Sequence, residues 1–200
     1  MSALARKAVG NIAGYDYGEA APSPLTLKEL DELKATVDFT DEDRQALVRA
    51  GRILVPQAEA MVDEWRAVIG AHKHLGRWFL GLDGKPDDRY KSLVKARFVR
   101  WVVDLFERPF DQAWLDYQEE IGLRHTPAKK NDTDHARTPD HVPLRHLFAF
   151  CAPVSLSVGR RLKAAGTPPN EAERMQAAWT KAVILSVTLW SRPYAKDGLW

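Results

Sequence analysis

DQAWLDYQEEIGLRHTPAKKNDTDHARTPDHVPLRH, residues 111–146, is the stretch on which the reading of this chain turns. Its first half has helical period. Trp114, Tyr117, Ile121 and His125 follow one another at spacings of three, four and four, which puts them on one helix face. Thr126-Pro127 closes that helix, because the residue before a proline is pushed out of the helical region. His125 therefore sits in the last turn of an apolar stripe. A carbonyl one turn back can take its Nδ1–H and leave Nε2 bare. That arrangement suits an axial metal ligand, which needs a partner on its other ring nitrogen. It suits equally a structural histidine that closes a helix end, and spacing alone leaves both readings open. The second half, Ala128 to Pro143, has no hydrophobic period. An aperiodic loop of that length inside a compact domain is uncommon and often functional.

Outward from this stretch, every periodic segment is helical. Thr26-Leu27-Lys28-Glu29 has the form of a capping box, followed by Leu30, Leu33 and Val37. Thr40 and Asp43 start a second helix in the same way, with Leu47, Ala50, Ile53 and Leu54, and Pro56 kinks or ends it. Met61, Val62, Trp65, Val68 and Ile69 mark a third. A short segment from His74 to Leu80 ends in the turn Gly81 to Gly84. Asp87 to Phe106 carries Tyr90, Val94, Phe98, Trp101 and Leu105 on one face. Two further helices, 143–165 and 170–192, start at Pro143 and near Asn170, a plausible N-cap. They are apolar nearly all round, and Pro153 is placed to bend the first. Such helices must bury both sides, so a homodimer through 143–165 and 170–192 is expected. Residues 1–24, with GYDYG at 14–18, read as an irregular leader whose first ten residues fray. Residues 25–200 read as one domain. The expected fold is all-α, with seven or eight helices.

Composition excludes more than it selects. The chain has 200 residues, 45% hydrophobic and 28% charged, and can bury a sizeable core. A net charge of +2 gives no argument for nucleic acid or a membrane surface. The single cysteine, Cys151, excludes an intrachain disulfide framework. No run approaches 18 apolar residues and no signal peptide precedes the leader, so a cytoplasmic protein is expected. There is no Gly-rich phosphate loop after a strand and no cysteine pair for zinc. Cys151 reads as inert core, Glu119-Glu120 as a solvated helix face, Lys129-Lys130 as a solvated loop, and His135, His141 and His146 as surface or capping residues.

GYDYG at 14–18, WLDYQEEIGLRH at 114–125, Lys129-Lys130, RTPDHVPLRHL at 137–147 and WSRPYAKDGLW at 190–200 together resemble the protoglobin family, single-domain haem proteins related to the globin-coupled sensors. The resemblance runs from Gly14 to Trp200. It implies a globin-like fold with an additional N-terminal helix, a buried haem b and a homodimer. It further implies that His125 is the proximal iron ligand, Trp65 the distal tryptophan and Phe98 the distal phenylalanine. Val94 falls where many other globins carry a distal histidine. Leu147, Phe150 and Val154 match residues lining the haem pocket and its gas tunnels. Arg97, next to Phe98, is in position to reach a haem propionate. The leader and the 128–142 loop are expected to help cover the haem.

One departure stands out. Where the family usually carries a distal tyrosine, this chain has Arg66. Arginine also donates hydrogen bonds, but it is longer, always charged and expensive to bury unpaired. It is expected to bond an iron-bound ligand, pair with a propionate or swing to solvent. The resemblance implies reversible binding of a diatomic gas (O2, CO or NO), for storage, scavenging or sensing. Two alternatives are a haem-free dimeric interaction module and a haem enzyme acting on NO, nitrite or peroxide. The last would need a reductase partner, because no flavin or nicotinamide fingerprint is present. A sensor role is expected to act on a separate signalling partner.

Overall fold

The computed structural model describes residues 12–196 and 198–200. The first ten residues, expected to fray, lie outside that range. Eight α-helices form among the described residues. Thr26 and Glu29 bond each other's backbone N–H groups and start α1, Leu27–Thr36. Thr40 and Asp43 repeat the device for α2, Asp41–Leu54. Pro56, which has no N–H to give, converts the chain to a 3-10 turn at Val55–Gln57 before α3, Ala58–Ala71. The short α4, Lys73–Gly76, runs into a 3-10 turn, Arg77–Phe79. An isolated bridge between Leu80 and Pro86 pinches the Gly81–Gly84 turn.

The next two helices each open on an aspartate N-cap. Asp87 accepts from the Tyr90 N–H for α5, Asp88–Glu107. Asp111 accepts from the Trp114 N–H for α6, Gln112–Leu123. The last pair is α7, Leu144–Ala164, and α8, Pro169–Ser191, with a closing 3-10 turn, Arg192–Tyr194. Their starts differ from expectation. Pro143 lies just outside α7, and Pro168-Pro169 opens α8, leaving Asn170 inside the first turn with no capping bond. Proline fits there because the first helical N–H groups have no acceptor in any case.

The core is built on α8. It packs against α7, α2 and α6. Its buried residues, among them Met175, Trp179, Val183, Leu185, Val187 and Trp190, point to several sides. Trp179 lies flat on Phe106 at 4.8 Å and is sealed from solvent. Truncating such a buried tryptophan costs about 3–5 kcal/mol. The breadth of apolar surface on α8 is thus used largely within one subunit, and Ile184 is its exposed large apolar residue. On α7 the exposed large apolar residues are Phe148 and Leu156, and exposed Ala152 between them continues the stripe at a spacing of four. No described helix is long and apolar enough to cross a membrane.

Candidate functional site

A cavity of about 840 Å³ opens between two pairs of helices. Arg66 and Ile69 of α3 and Val94 and Phe98 of α5 contribute one side. Ile121 of α6 and His125 just beyond it, with Val187 and Trp190 of α8, contribute another. Leu147, Phe150, Cys151 and Val154 of α7 close the back. The volume falls in the range of roughly 300–1,000 Å³ usual for small-molecule and cofactor sites, and the wall is largely apolar.

His125 is the histidine the fold prepares most closely. Its Nδ1 lies 2.8 Å from the Ile121 carbonyl, which can only accept, so the ring proton resides there and Nε2 keeps its lone pair. Burial holds the imidazole pKa below its usual value. The Ile121 bond opposes that shift, and the nearby charges of Lys130 and Arg124 reinforce it. The ring is thereby kept neutral, the state that ligates metal. Trp190 stacks against it at 5.6 Å, the planes 18° apart. Its backbone is fixed as well. The Val142 N–H donates to the His125 carbonyl, and the Tyr194 hydroxyl lies 2.9 Å from that oxygen and 2.6 Å from the Val142 carbonyl. Gly122 lets α6 approach α8: a Cβ there would lie 3.0 Å from the Trp190 Cα.

Arg66, Val94, Phe98, Leu147, Phe150 and Val154 all line the same cavity as His125. Two of the anticipated residues behave differently. Trp65 does not line the cavity. It is 1% exposed, tilts against Phe98 and donates its indole N–H to the Ser157 hydroxyl at 2.8 Å. One position along a helix turns the side chain by about 100°, so Trp65 enters the core while Arg66 meets the cavity. Arg97 lines the cavity but is already engaged. Its guanidinium binds both oxygens of Asp134, at 2.9 and 2.5 Å, and the Ala13 carbonyl at 2.9 Å. It ties the leader and the connector after His125 to α5, so a propionate would have to compete with a buried carboxylate for it.

Two further expectations are corrected. Lys130 is 3% exposed rather than solvated. Its three ammonium protons go to the Trp78 carbonyl, the Thr138 hydroxyl and the Pro139 carbonyl at 3.1, 2.6 and 2.7 Å. Burial pushes its pKa down to about 8, against a weak upward pull from Asp140. Glu119 and Glu120 are buried too. Glu119 pairs with Arg192, and Glu120 with Arg124 and Lys129. Burial raises the Glu120 pKa, but these two cations bring it below its usual value. His146, part-exposed in the first turn of α7, also lines the cavity, and its ring meets those of His74 and Trp78.

The leader is held from two sides. Arg124 donates to the Gly14 carbonyl and pairs with Asp16 at 2.7 Å, while Arg97 holds Ala13. Gly14 and Gly18 both have positive φ, +71° and +84°, so the spacing of glycines in GYDYG is a backbone requirement. Tyr15 and Tyr17 turn inward on Tyr117, and the Tyr15 hydroxyl donates to Asp104 at 2.7 Å. Trp190, Tyr194, Asp134 and Lys130 are the residues that position-by-position reading missed. Nothing in their spacing marks them, since each acts through a partner distant in sequence.

The wall carries seven cations (Arg66, Lys73, Arg77, Lys91, Arg97, Arg124 and Lys130) against one carboxylate, Asp134, which Arg97 neutralises. Among the described residues no group of three or more His, Cys, Asp or Glu side chains is placed to hold a metal ion. A cofactor held here would therefore bring most of its own metal ligands, with His125 as a single axial donor. An apolar slot with one bare imidazole nitrogen and a cationic rim fits a planar, dianionic macrocycle.

No curated relative matches the chain in sequence. Among solved structures, the globin domain of the Geobacter sulfurreducens globin-coupled sensor superposes with a TM-score of 0.66 at 17% identity, covering 83% of this chain and 97% of that one. The described helices thus form a globin-like fold. The Protoglobin family model matches residues 26–200, and with that span the chain belongs to the protoglobin family.

Proposed function

We propose that this globin binds haem b with His125 as the axial ligand and that it binds a diatomic gas reversibly on the opposite side of the ring. The observation that carries this reading is His125 itself, with Nδ1 committed to Ile121 at 2.8 Å and Nε2 free at an apolar cavity of about 840 Å³. Bound haem would supply a metal centre with a vacant coordination position. The chain's part is to orient and exclude. Ile121 fixes the tautomer, Trp190 fixes the ring plane, and Phe98, Leu147, Phe150 and Val154 keep bulk water from the pocket. Lys73 and Arg77, which line the cavity and lack a carboxylate partner among the described residues, are the cations suited to propionates.

Haem titration into the purified protein is the test. A Soret band that shifts with CO, together with quenching of the cavity tryptophans, is the expected result. His125→Ala should lose stable haem binding or require added imidazole. Unaltered axial ligation in that variant would assign the iron to another residue.

The same proposal includes a homodimer, supported by the α7 stripe: Phe148 is 51% and Leu156 62% exposed, and Ile184 of α8 is 41% exposed. Sedimentation should give a dimer at micromolar concentration and a monomer for Leu156→Glu. A wild-type monomer would refute it.

A further inference from the structure

We propose that Arg66 makes the inner part of the cavity a site for small inorganic anions, with nitrite-sized oxyanions as the ligand class. The inference rests on the haem reading above and names a ligand class for that same site.

Four observations support it. Arg66 lines the cavity, yet its guanidinium makes no hydrogen bond or ion pair with any described residue. The carboxylates on its own helix are engaged elsewhere: Glu59 and Asp63 with Lys95, and Glu64 with Arg160 and Arg161. The one carboxylate of the cavity wall, Asp134, is held by Arg97. No anion among the described residues is therefore placed to neutralise Arg66. Its depth is the fourth. Along this face of α3, Val62 is sealed in the core, Arg66 is half-buried, and Gly70 is exposed. Helical side chains lean toward the helix N-terminus. On α3 that direction runs from the open end toward Val62, so the guanidinium is biased inward.

The charge balance favours this role over pairing with a propionate. Haem carries two carboxylates, both on its polar edge, and these belong at the solvent side of the cavity. Lys73 and Arg77 line the same cavity without a carboxylate partner among the described residues and suffice in number for two propionates. Arg66 is left as a surplus cation beside an apolar pocket. There a charge–charge hydrogen bond is stronger than in water, and the alternative is an uncompensated charge. A small anion satisfies the planar donor fork and a neutral diatomic does not.

The experiment titrates ferric, haem-loaded protein with sodium nitrite and with sodium fluoride, followed by absorption, in the wild type, Arg66→Leu, Arg66→Lys and Arg66→Gln. CO binding to the ferrous forms is the neutral reference. Arg66→Leu and Arg66→Gln should weaken both anions by roughly 10- to 150-fold, the equivalent of about 1.5–3 kcal/mol, while CO affinity stays within about twofold. Arg66→Lys should retain part of the affinity, because it keeps the charge and loses the fork. Equal anion affinities in wild type and Arg66→Gln would overturn the proposal and leave the haem reading intact. A parallel loss of CO and anion affinity would overturn it too, as a general defect of the pocket. A wild type that retains no haem would refute both, and the missing Soret band would show it before any anion is added.

Discussion

Gly122 offers the sharpest test of how the pocket is held, because two physical effects of one methyl group have opposite signs there. Gly122 lies in the last turn of α6, three residues before His125. An alanine Cβ would stand 3.0 Å from the Trp190 Cα, 3.1 Å from its carbonyl oxygen and 3.2 Å from the Pro193 Cγ. Ordinary contacts of this kind run from 3.4 to 4 Å, so α6 and the end of α8 must part by a few tenths of an ångström. Overpacking of this sort costs about 1–3 kcal/mol. Against it, alanine in a helix is favoured over glycine by about 0.8–1.0 kcal/mol. The net expectation for Gly122→Ala is a loss of about 1 kcal/mol, or ~2–4 °C in Tm for a chain of this size. Gly122→Val should lose more, since its propensity gain is only about 0.3 kcal/mol and its bulk is larger. Displacement should also reach the histidine, because Trp190 stacks on its ring. Thermal unfolding followed by circular dichroism, in parallel with haem retention, measures both. The expected order of stability is Gly, then Ala, then Val. If Gly122→Ala melts above the wild type, helix propensity has won and the close approach of α6 to α8 is not what seats His125.

Lys130 predicts a pH dependence. Its folded-state pKa of about 8 lies below the ordinary 10.5, so between these values the folded state has released a proton that the unfolded chain keeps, and stability rises with pH. Burial raises the Tyr15 and Tyr90 pKa values to about 12, which reverses the trend above pH 10. Denaturant unfolding should show stability rising from about pH 8 to a maximum near pH 10, and Lys130→Met should flatten the rising limb; an unchanged limb would mean that the lysine does not titrate there. Arg97→Met should free the leader, read as faster amide exchange at residues 13–16 and quicker haem loss to an acceptor protein, with unaltered exchange counting against the clamp. Trp65→Phe removes the bond to Ser157 and should lower stability by about 1–3 kcal/mol without changing O2 release. A large change in O2 release would put the indole at the ligand.

The helices were readable because each rests on local chemistry. Thr26-Glu29, Thr40-Asp43, Asp87 and Asp111 satisfy N–H groups within three residues of themselves, and a periodic face needs only its own spacing. His125, in the turn that ends α6, and its Ile121 acceptor are only four residues apart and were readable for the same reason. What escaped the sequence is what depends on long-range pairing. The burial of Lys130 is decided by Trp78, 52 residues away, and the engagement of Arg97 by Asp134, 37 residues away. Glu119 and Glu120 look like a wet helix face until Arg192, Arg124 and Lys129 are brought to them. The position of Trp65 illustrates a narrower limit. Spacing puts Trp65 on the apolar side of its helix, but which part of that side meets the core and which the cavity is decided by the packing of α5 and α7 against it.

The clamped leader has a consequence for the order in which the molecule is assembled. The partners of Ala13, Gly14 and Asp16 lie 84 to 110 residues downstream, on Arg97 and Arg124. Tyr194, which braces the His125 carbonyl, follows that histidine by 69 residues. Contacts of such separation form late, because loop-closure entropy opposes them until local helices are in place. On the ribosome, Ala13 must wait for α5, Gly14 and Asp16 for the end of α6, and the brace on His125 for the residues after α8. The pocket thus passes through a stage in which its helices exist but both fastenings are undone. If a planar guest enters at that stage, closing the pocket over it belongs to folding and not to binding alone.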